Sequence, residues 1–399
     1  MEIQLSPVDK LFMSYLTYAN SHTSLVKNMI AAGANVNCRD NNLNTPLHLV
    51  LQYCADKLRM VQLLIKAGSN PNSYNVHRNT PLHIAIIYCE DIEVIHELLK
   101  YGASVHLKDI LDNSPLHLAV TNCKESIVKL IIQSKADINL RNWNGETPLI
   151  CAVKADCLAI VKELLLSGAV VSVSTDDGSS PLHVALKKSP PNLDIIIELL
   201  KCNADIYSLD TKLGFPLLFA VKRYYKNPSD NLQLAKTLLK FDALQKCYRH
   251  KGFRYFDELK NFTVFSDLVI FYQECISEVS RMKSEYIQSN LSILECSVKA
   301  LKNQKIVQGR LLQKELTMSE VLRISLNYPI YRAMIASCLR KTDLQNLLLG
   351  LYIYTNKECG LGRLQCVILN GDLTFLISIY LSNVDILNLI IAFSTVRDF

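Results

Sequence analysis

No two of the chain's thirteen cysteines stand in a C-x-x-C pair, so no zinc knuckle or dithiol redox motif is spelled out. An odd number of scattered thiols, with no leader of basic residues followed by an apolar core, predicts a reducing compartment, the cytoplasm. There the thiols act as small buried apolar groups, chemically inert. Long apolar runs are also missing. The stretch from Leu373 to Phe393 is the most apolar in the tail, yet Ser378, Ser382, Asn383, Asp385 and Asn388 interrupt it, which excludes a membrane span there. Charge of one sign is not concentrated. Forty-three basic against thirty-seven acidic side chains leave +6 over 399 residues, far from the dense positive footprint of a nucleic-acid binder. Enzyme signatures are lacking too: no phosphate-binding Gly loop, H-E-x-x-H, G-x-S-x-G or kinase set occurs, and only His250 lies beyond residue 245 to partner a nucleophilic cysteine. The expectation is a non-enzyme with no cofactor, no metal, no nucleic acid and no membrane among its partners, monomeric before it forms a complex. With 49% hydrophobic residues, the chain still has enough apolar surface to fold throughout.

What is present is repetition. Thr45-Pro46-Leu47-His48 returns as Thr80-Pro81-Leu82-His83, Ser114-Pro115-Leu116-His117, Thr147-Pro148-Leu149-Ile150, Ser180-Pro181-Leu182-His183 and Phe215-Pro216-Leu217-Leu218, at spacings of 35, 34, 33, 33 and 35. A second phrase keeps the same phase, from AGANVN at Ala32 through AGSNPN at Ala67 to CNADIY at Cys202. Each part has a physical reason. Thr or Ser caps a helix N-terminus, and Pro at the first helical position gives up no hydrogen bond. Apolar residues then mark one face of a second helix, as in Val61, Leu64 and Ile65 or Val94, Ile95, Leu98 and Leu99, before a Gly such as Gly68 or Gly102 ends it.

This pattern resembles the ankyrin repeat, a helix pair plus a hairpin finger with a period near 33 residues. The resemblance implies an all-α solenoid of about seven units over residues 1–245. Residues 1–32 form an N-terminal capping unit, and residues 215–243 form a last unit stretched by the insertion from Arg223. A helical C-terminal domain is expected over 246–399. It also implies that His48, His83, His117 and His183 tie neighbouring repeats together. The finger glycine survives only as Gly145 and Gly178. Leu43, Arg78, Asp112 and Leu213 replace it where a positive φ is required, and Cys54, Cys89 and Cys123 stand where the first helix usually ends in Gly.

Arrays of this family present finger tips and the inner face of the first helix to a protein partner. In register, the tips carry Val76 and His77, Ile110 and Leu111, and Trp143, the single tryptophan. The inner face carries Tyr53, Tyr88, Lys154, Lys187, Lys188, Lys222 and Arg223, a groove expected to pass from aromatic to basic and to suit an acidic segment.

Beyond residue 245 the period stops. The phrase from Phe271 to Lys283, with Ile287 and Ser292-Ile293-Leu294, resembles the opening of the PRANC region, which follows ankyrin repeats in poxvirus proteins and in proteins of some intracellular bacteria and parasitoid wasps; a helix over 271–294 is expected. Residues 369–399 are similar to a truncated F-box, matching at Leu369, Leu373, Ile377, Tyr380, Leu381, Asp385 and Leu389, with Asn370 for the usual Pro and Asp372 for Glu. The fourfold spacing sets one apolar helical stripe. The resemblance implies binding to the Skp adaptor of a cullin ubiquitin ligase, hence a host-manipulating effector that recruits a target protein in the host cytoplasm or nucleus. The alternative is an ankyrin-type stoichiometric inhibitor or scaffold of a signalling or immune protein.

Overall fold

The computed structural model describes residues 5–18, 22–89, 91–210, 214–249, 266–288, 291–293, 326–331, 353–355 and 365–367. The chain divides into two compact units, one of residues 1–200 and 207–216, the other of residues 201–206 and 217–399.

Helix pairs fill the first unit: α1 (Pro7–Leu16) with α2 (Thr23–Ala31), α3 (Pro46–Tyr53) with α4 (Lys57–Lys66), and α5 (Pro81–Tyr88) with α6 (Ile92–Lys100). They continue through α7 (Pro115–Thr121) with α8 (Glu125–Gln133), α9 (Pro148–Ala155) with α10 (Leu158–Leu166), and α11 (Pro181–Lys187) with α12 (Leu193–Lys201). The first helix of each repeat buries positions i, i+3 and i+4: Leu47, Val50 and Leu51, then Leu82, Ala85 and Ile86, then Leu116, Ala119 and Val120. The second buries i, i+1 and i+4, as in Val94, Ile95 and Leu98. Each pair thus has apolar faces that only the next pair can cover, so stacking supplies the core.

The recurring histidines bind the stack. In four repeats the Nδ1 of the buried imidazole accepts the N–H of its own cap residue at 3.2 Å, from Thr45, Thr80, Ser114 and Ser180. The opposite nitrogen, Nε2, then carries the proton and donates to the next finger's carbonyl: His48 to Asn79 at 2.9 Å, His83 to Asn113 at 3.3 Å, His117 to Glu146 at 3.0 Å and His183 to Gly214 at 3.0 Å. Burial holds all four imidazoles below their usual range, His48 down to about 4. Ile150 breaks the series, and there only the Thr147 hydroxyl caps the helix, accepting the Ile150 N–H at 3.5 Å.

The second unit holds α13 (Pro216–Lys226), α14 (Pro228–Arg249) and α15 (Ser266–Ser284). On α14 the Asp242 carboxylate accepts the Tyr272 hydroxyl of α15, while Tyr331 donates to the Lys240 carbonyl at 2.8 Å and lies under the Lys240 ammonium. Two expectations are corrected here. The helix expected over 271–294 ends at Ser284, and β1 (Tyr286–Gln288) pairs antiparallel with β2 (Leu291–Ser292). Aromatic and β-branched Tyr286 and Ile287 favour that strand over another helical turn. A further antiparallel pair joins β3 (Ile353–Thr355) to β4 (Gln365–Val367), so this unit is not purely helical.

Candidate interaction groove of the repeat array

Each finger is shaped by its first residue. The Oδ1 of Asp40 accepts the N–H of Asn42 at 2.9 Å and of Asn44 at 2.8 Å; Asn75, Asp109 and Asn142 repeat the arrangement two and four residues on. The chain then turns through a left-handed residue, Gly145 (φ 69°) or Gly178 (φ 82°), and in the other fingers Leu43 (φ 59°), Arg78 (φ 56°) and Asp112 (φ 56°), as the sequence predicts. Leu213 lies outside the described residues; Gly214, which follows it, has φ 73°. Adjacent tips are joined by backbone: the N–H of Val76 donates to Asn42 O, that of Ile110 to His77 O and that of Trp143 to Leu111 O, each at 2.9 Å.

This ladder lines up apolar side chains at the tips. Ile110 is 55% exposed, Leu111 58% and Trp143 72%, with Val76 and the side chain of His77 also open to solvent. Inner-face Tyr53, Ile87 and Tyr88 are exposed at the ends of α3 and α5. Exposed apolar side chains thus stand in register on successive fingers, which makes this row the candidate interaction surface.

Further along, an open cavity of about 760 Å³ is walled by Trp143, Asn144 and Glu146 of one finger, Asp176, Asp177 and Ser179 of the next, and Lys154, Lys187 and Lys188 of the inner face. The structure therefore brings together four residues singled out from the sequence, Trp143 and the three lysines. It does not leave those lysines as a free basic stripe. Lys154 is ion-paired with Glu146, Lys187 reaches Ser179 Oγ at 2.6 Å and the fully buried Asp210 carboxylate at 3.3 Å, and Lys188 lies 3.8 Å from Asp156. Arg141 spans to Asp176 at 2.7 Å. The groove is a lattice of paired charges, so the basic stripe expected to suit an acidic segment carries its own counter-charges: Glu146 from the same repeat as Lys154, Asp210 from the finger after Lys187, and Asp156 from the end of α9. The Thr175 hydroxyl, hydrogen-bonded to Asp177, lowers that carboxyl below its ordinary value, so the rim keeps a negative charge. Lys222 and Arg223 belong to α13 of the second unit, where Lys222 is exposed and the Arg223 guanidinium lies 5.8 Å from the Phe219 ring centre.

The F-box-like residues Leu369, Leu373, Ile377, Tyr380, Leu381, Asp385 and Leu389 lie outside the described residues. Among the described residues no group of three or more His, Cys, Asp or Glu could hold a metal, and no helix is long and apolar enough to cross a membrane.

Sequence reasoning missed the carboxylates Glu146, Asp176 and Asp177 and the covalent link between Cys123 and Cys157, whose Cα atoms are 6.4 Å apart. The expectation that every cysteine is a buried inert thiol fails at those two positions. The usable signal was the repeat spacing of cysteines 54, 89, 123 and 157.

Stacked helix pairs with hydrogen-bonded fingers and an open concave wall define a helical-repeat binding scaffold. The family model described as ankyrin repeats, in three copies, matches residues 13–109, 86–175 and 116–210; this part of the chain is an array of ankyrin repeats, modules of protein–protein interaction. The matches stop at residue 210, short of the PRANC-like phrase and the F-box-like segment. No curated protein matches the chain.

Proposed function

We propose that the chain is a non-catalytic adaptor: the array captures a target protein across the tip ridge and groove, and the C-terminal box passes it to the Skp adaptor of a cullin ubiquitin ligase. The observation that carries the capture half is Trp143, nearly three-quarters exposed, at the junction of an apolar tip row and a cavity large enough for side chains of a partner. The delivery half rests on the sequence resemblance of residues 369–399. Tethering alone accelerates transfer, since it raises the local concentration of the target near the ligase. No catalytic step is assigned to the chain itself.

Affinity purification tests both halves separately. The full chain is expected to bring down target, Skp and cullin; a chain ending at Leu364 keeps the target and loses the ligase; Trp143→Ala keeps the ligase and weakens the target by about tenfold or more, the loss typical of a hot-spot aromatic. A full chain that holds its target with no trace of Skp, or Ile377→Asp with Leu381→Asp leaving the ligase bound, removes the delivery half and leaves a stoichiometric blocker.

A further inference from the structure

Cys54, Cys89, Cys123 and Cys157 follow one another at intervals of 35, 34 and 34 residues, one in each of four successive repeats, where the first helix gives way to the second. The first two turn inward. Their caps are extended (ψ 145° and 136°), and their buried thiols donate to the preceding repeat, Cys54 to Leu16 O at 3.5 Å and Cys89 to Leu51 O at 3.6 Å. The next two corners pass instead through a left-handed residue, Cys123 itself (φ 53°) and Asp156 (φ 61°). That change of backbone brings the exposed Cys123 and the half-buried Cys157 together, joined as a disulfide.

We infer that Cys123 and Cys157 form a reversible thiol-oxidation site that takes a low-molecular-weight disulfide as its oxidant and clamps two successive repeats. One cysteine, as thiolate, attacks a sulfur of the small disulfide; that S–S bond breaks, a small thiol leaves with the cysteine's proton, and a mixed disulfide remains. The second cysteine attacks the protein-side sulfur, closes Cys123–Cys157 and releases the second small thiol with the second proton. Two protein thiols are oxidised and one small disulfide is reduced to two thiols; the reverse exchange opens the clamp.

Of the other described free thiols, Cys202 is half-buried and the rest are buried. Cys38, Cys89, Cys151 and Cys275 are buried, and burial pushes them up to between about 11 and about 12, where almost no thiolate forms. The clamp also adjoins the groove. Asp156, next to Cys157, faces Lys188 and accepts a hydrogen bond from Asn192 at 3.0 Å, so fixing this corner fixes a partner of the cavity wall. Only that consequence rests on the capture reading; the thiol exchange does not.

The full chain is equilibrated in graded ratios of oxidised to reduced glutathione, quenched with acid, alkylated and mapped by peptide mass. Cys123 and Cys157 are expected to lose alkylation together, as a pair 2 Da lighter by loss of two hydrogens, while the buried thiols label only after denaturation. In the same samples, amide exchange over residues 187–192 is expected to slow by about tenfold on oxidation. The double variant Cys123→Ser with Cys157→Ser should exchange like the reduced chain at every ratio. Alkylation of the two cysteines at different ratios, or pairing of either with a third, overturns the site. Exchange that ignores oxidation, or redox dependence that survives in the double variant, overturns the clamp.

Discussion

At the scale of single residues, two backbone positions carry opposite expectations. Arg78 is exposed and sits at φ 56°, a conformation that disfavours any side chain by about 1 kcal/mol. Arg78→Gly should therefore raise stability by up to about 1 kcal/mol in urea unfolding, less whatever glycine gains in the unfolded chain. Gly145 has the same sign of φ, and an added Cβ would meet the ends of the Asp176 and Arg141 side chains, which must swing aside and loosen their ion pair. Gly145→Ala should cost about 1–3 kcal/mol, seen as a lower urea midpoint, because strain and the disturbed ion pair add; an unchanged midpoint would show that the pair moves aside freely. The imidazoles give a pH prediction. His48 titrates near 4 in the folded chain against an ordinary 6.5, so the unfolded chain takes up the proton first. The stabilisation is whole above pH 6.5 and fades as pH falls towards about 4. His83, His117 and His183 shift in the same direction for the same first reason, burial. Thermal melts should drop across that window, and proton-detected titration of the four rings should show none protonating near its ordinary value.

At the scale of elements, the helix pair is the unit of both stability and recognition. Leu51, fully buried on α3, has no alternative packing inside its own repeat, so Leu51→Ala should cost about 2–5 kcal/mol by unfolding titration, whereas an exposed tip such as Leu111→Ala should change stability by less than about 0.5 kcal/mol. The fingers were legible because their rules are local: an Asx side chain reaching two and four residues ahead needs no distant partner. The lysines of α9 and α11 were legible as cations but not as ion pairs. Their carboxylates, Glu146, Asp210 and Asp156, stand eight, twenty-three and thirty-two positions away; Glu146 lies in the same repeat as Lys154, while Asp210 and Asp156 arrive only when repeats stack. The helix expected to run to 294 shows the same limit, since the choice between one more turn and a strand at Tyr286 depends on a pairing with Leu291–Ser292.

At the scale of the whole molecule, ankyrin repeats give the chain a surface that can be long without a large single core, because each repeat needs only its neighbours. Repair of the broken histidine series is a test of that logic: Ile150→His restores an imidazole at the cap between His117 and His183, in a fully buried site where Ile150 now packs. Lost apolar packing should outweigh one regained hydrogen bond, which is worth about 1 kcal/mol, so the variant should melt lower than the parent in calorimetry.

The sequence by itself determined the array: the period, the caps, the buried stripes and the left-handed finger residues follow from rules that act within a few residues or repeat from one unit to the next, and the histidine ties from the resemblance to ankyrin repeats. The stacked structure alone decided which charges meet in the groove, which two of the four recurring cysteines bond, and where α15 stops. These depend on side chains brought together across repeats or strands, and distance through space is a quantity that no local pattern of residue types encodes.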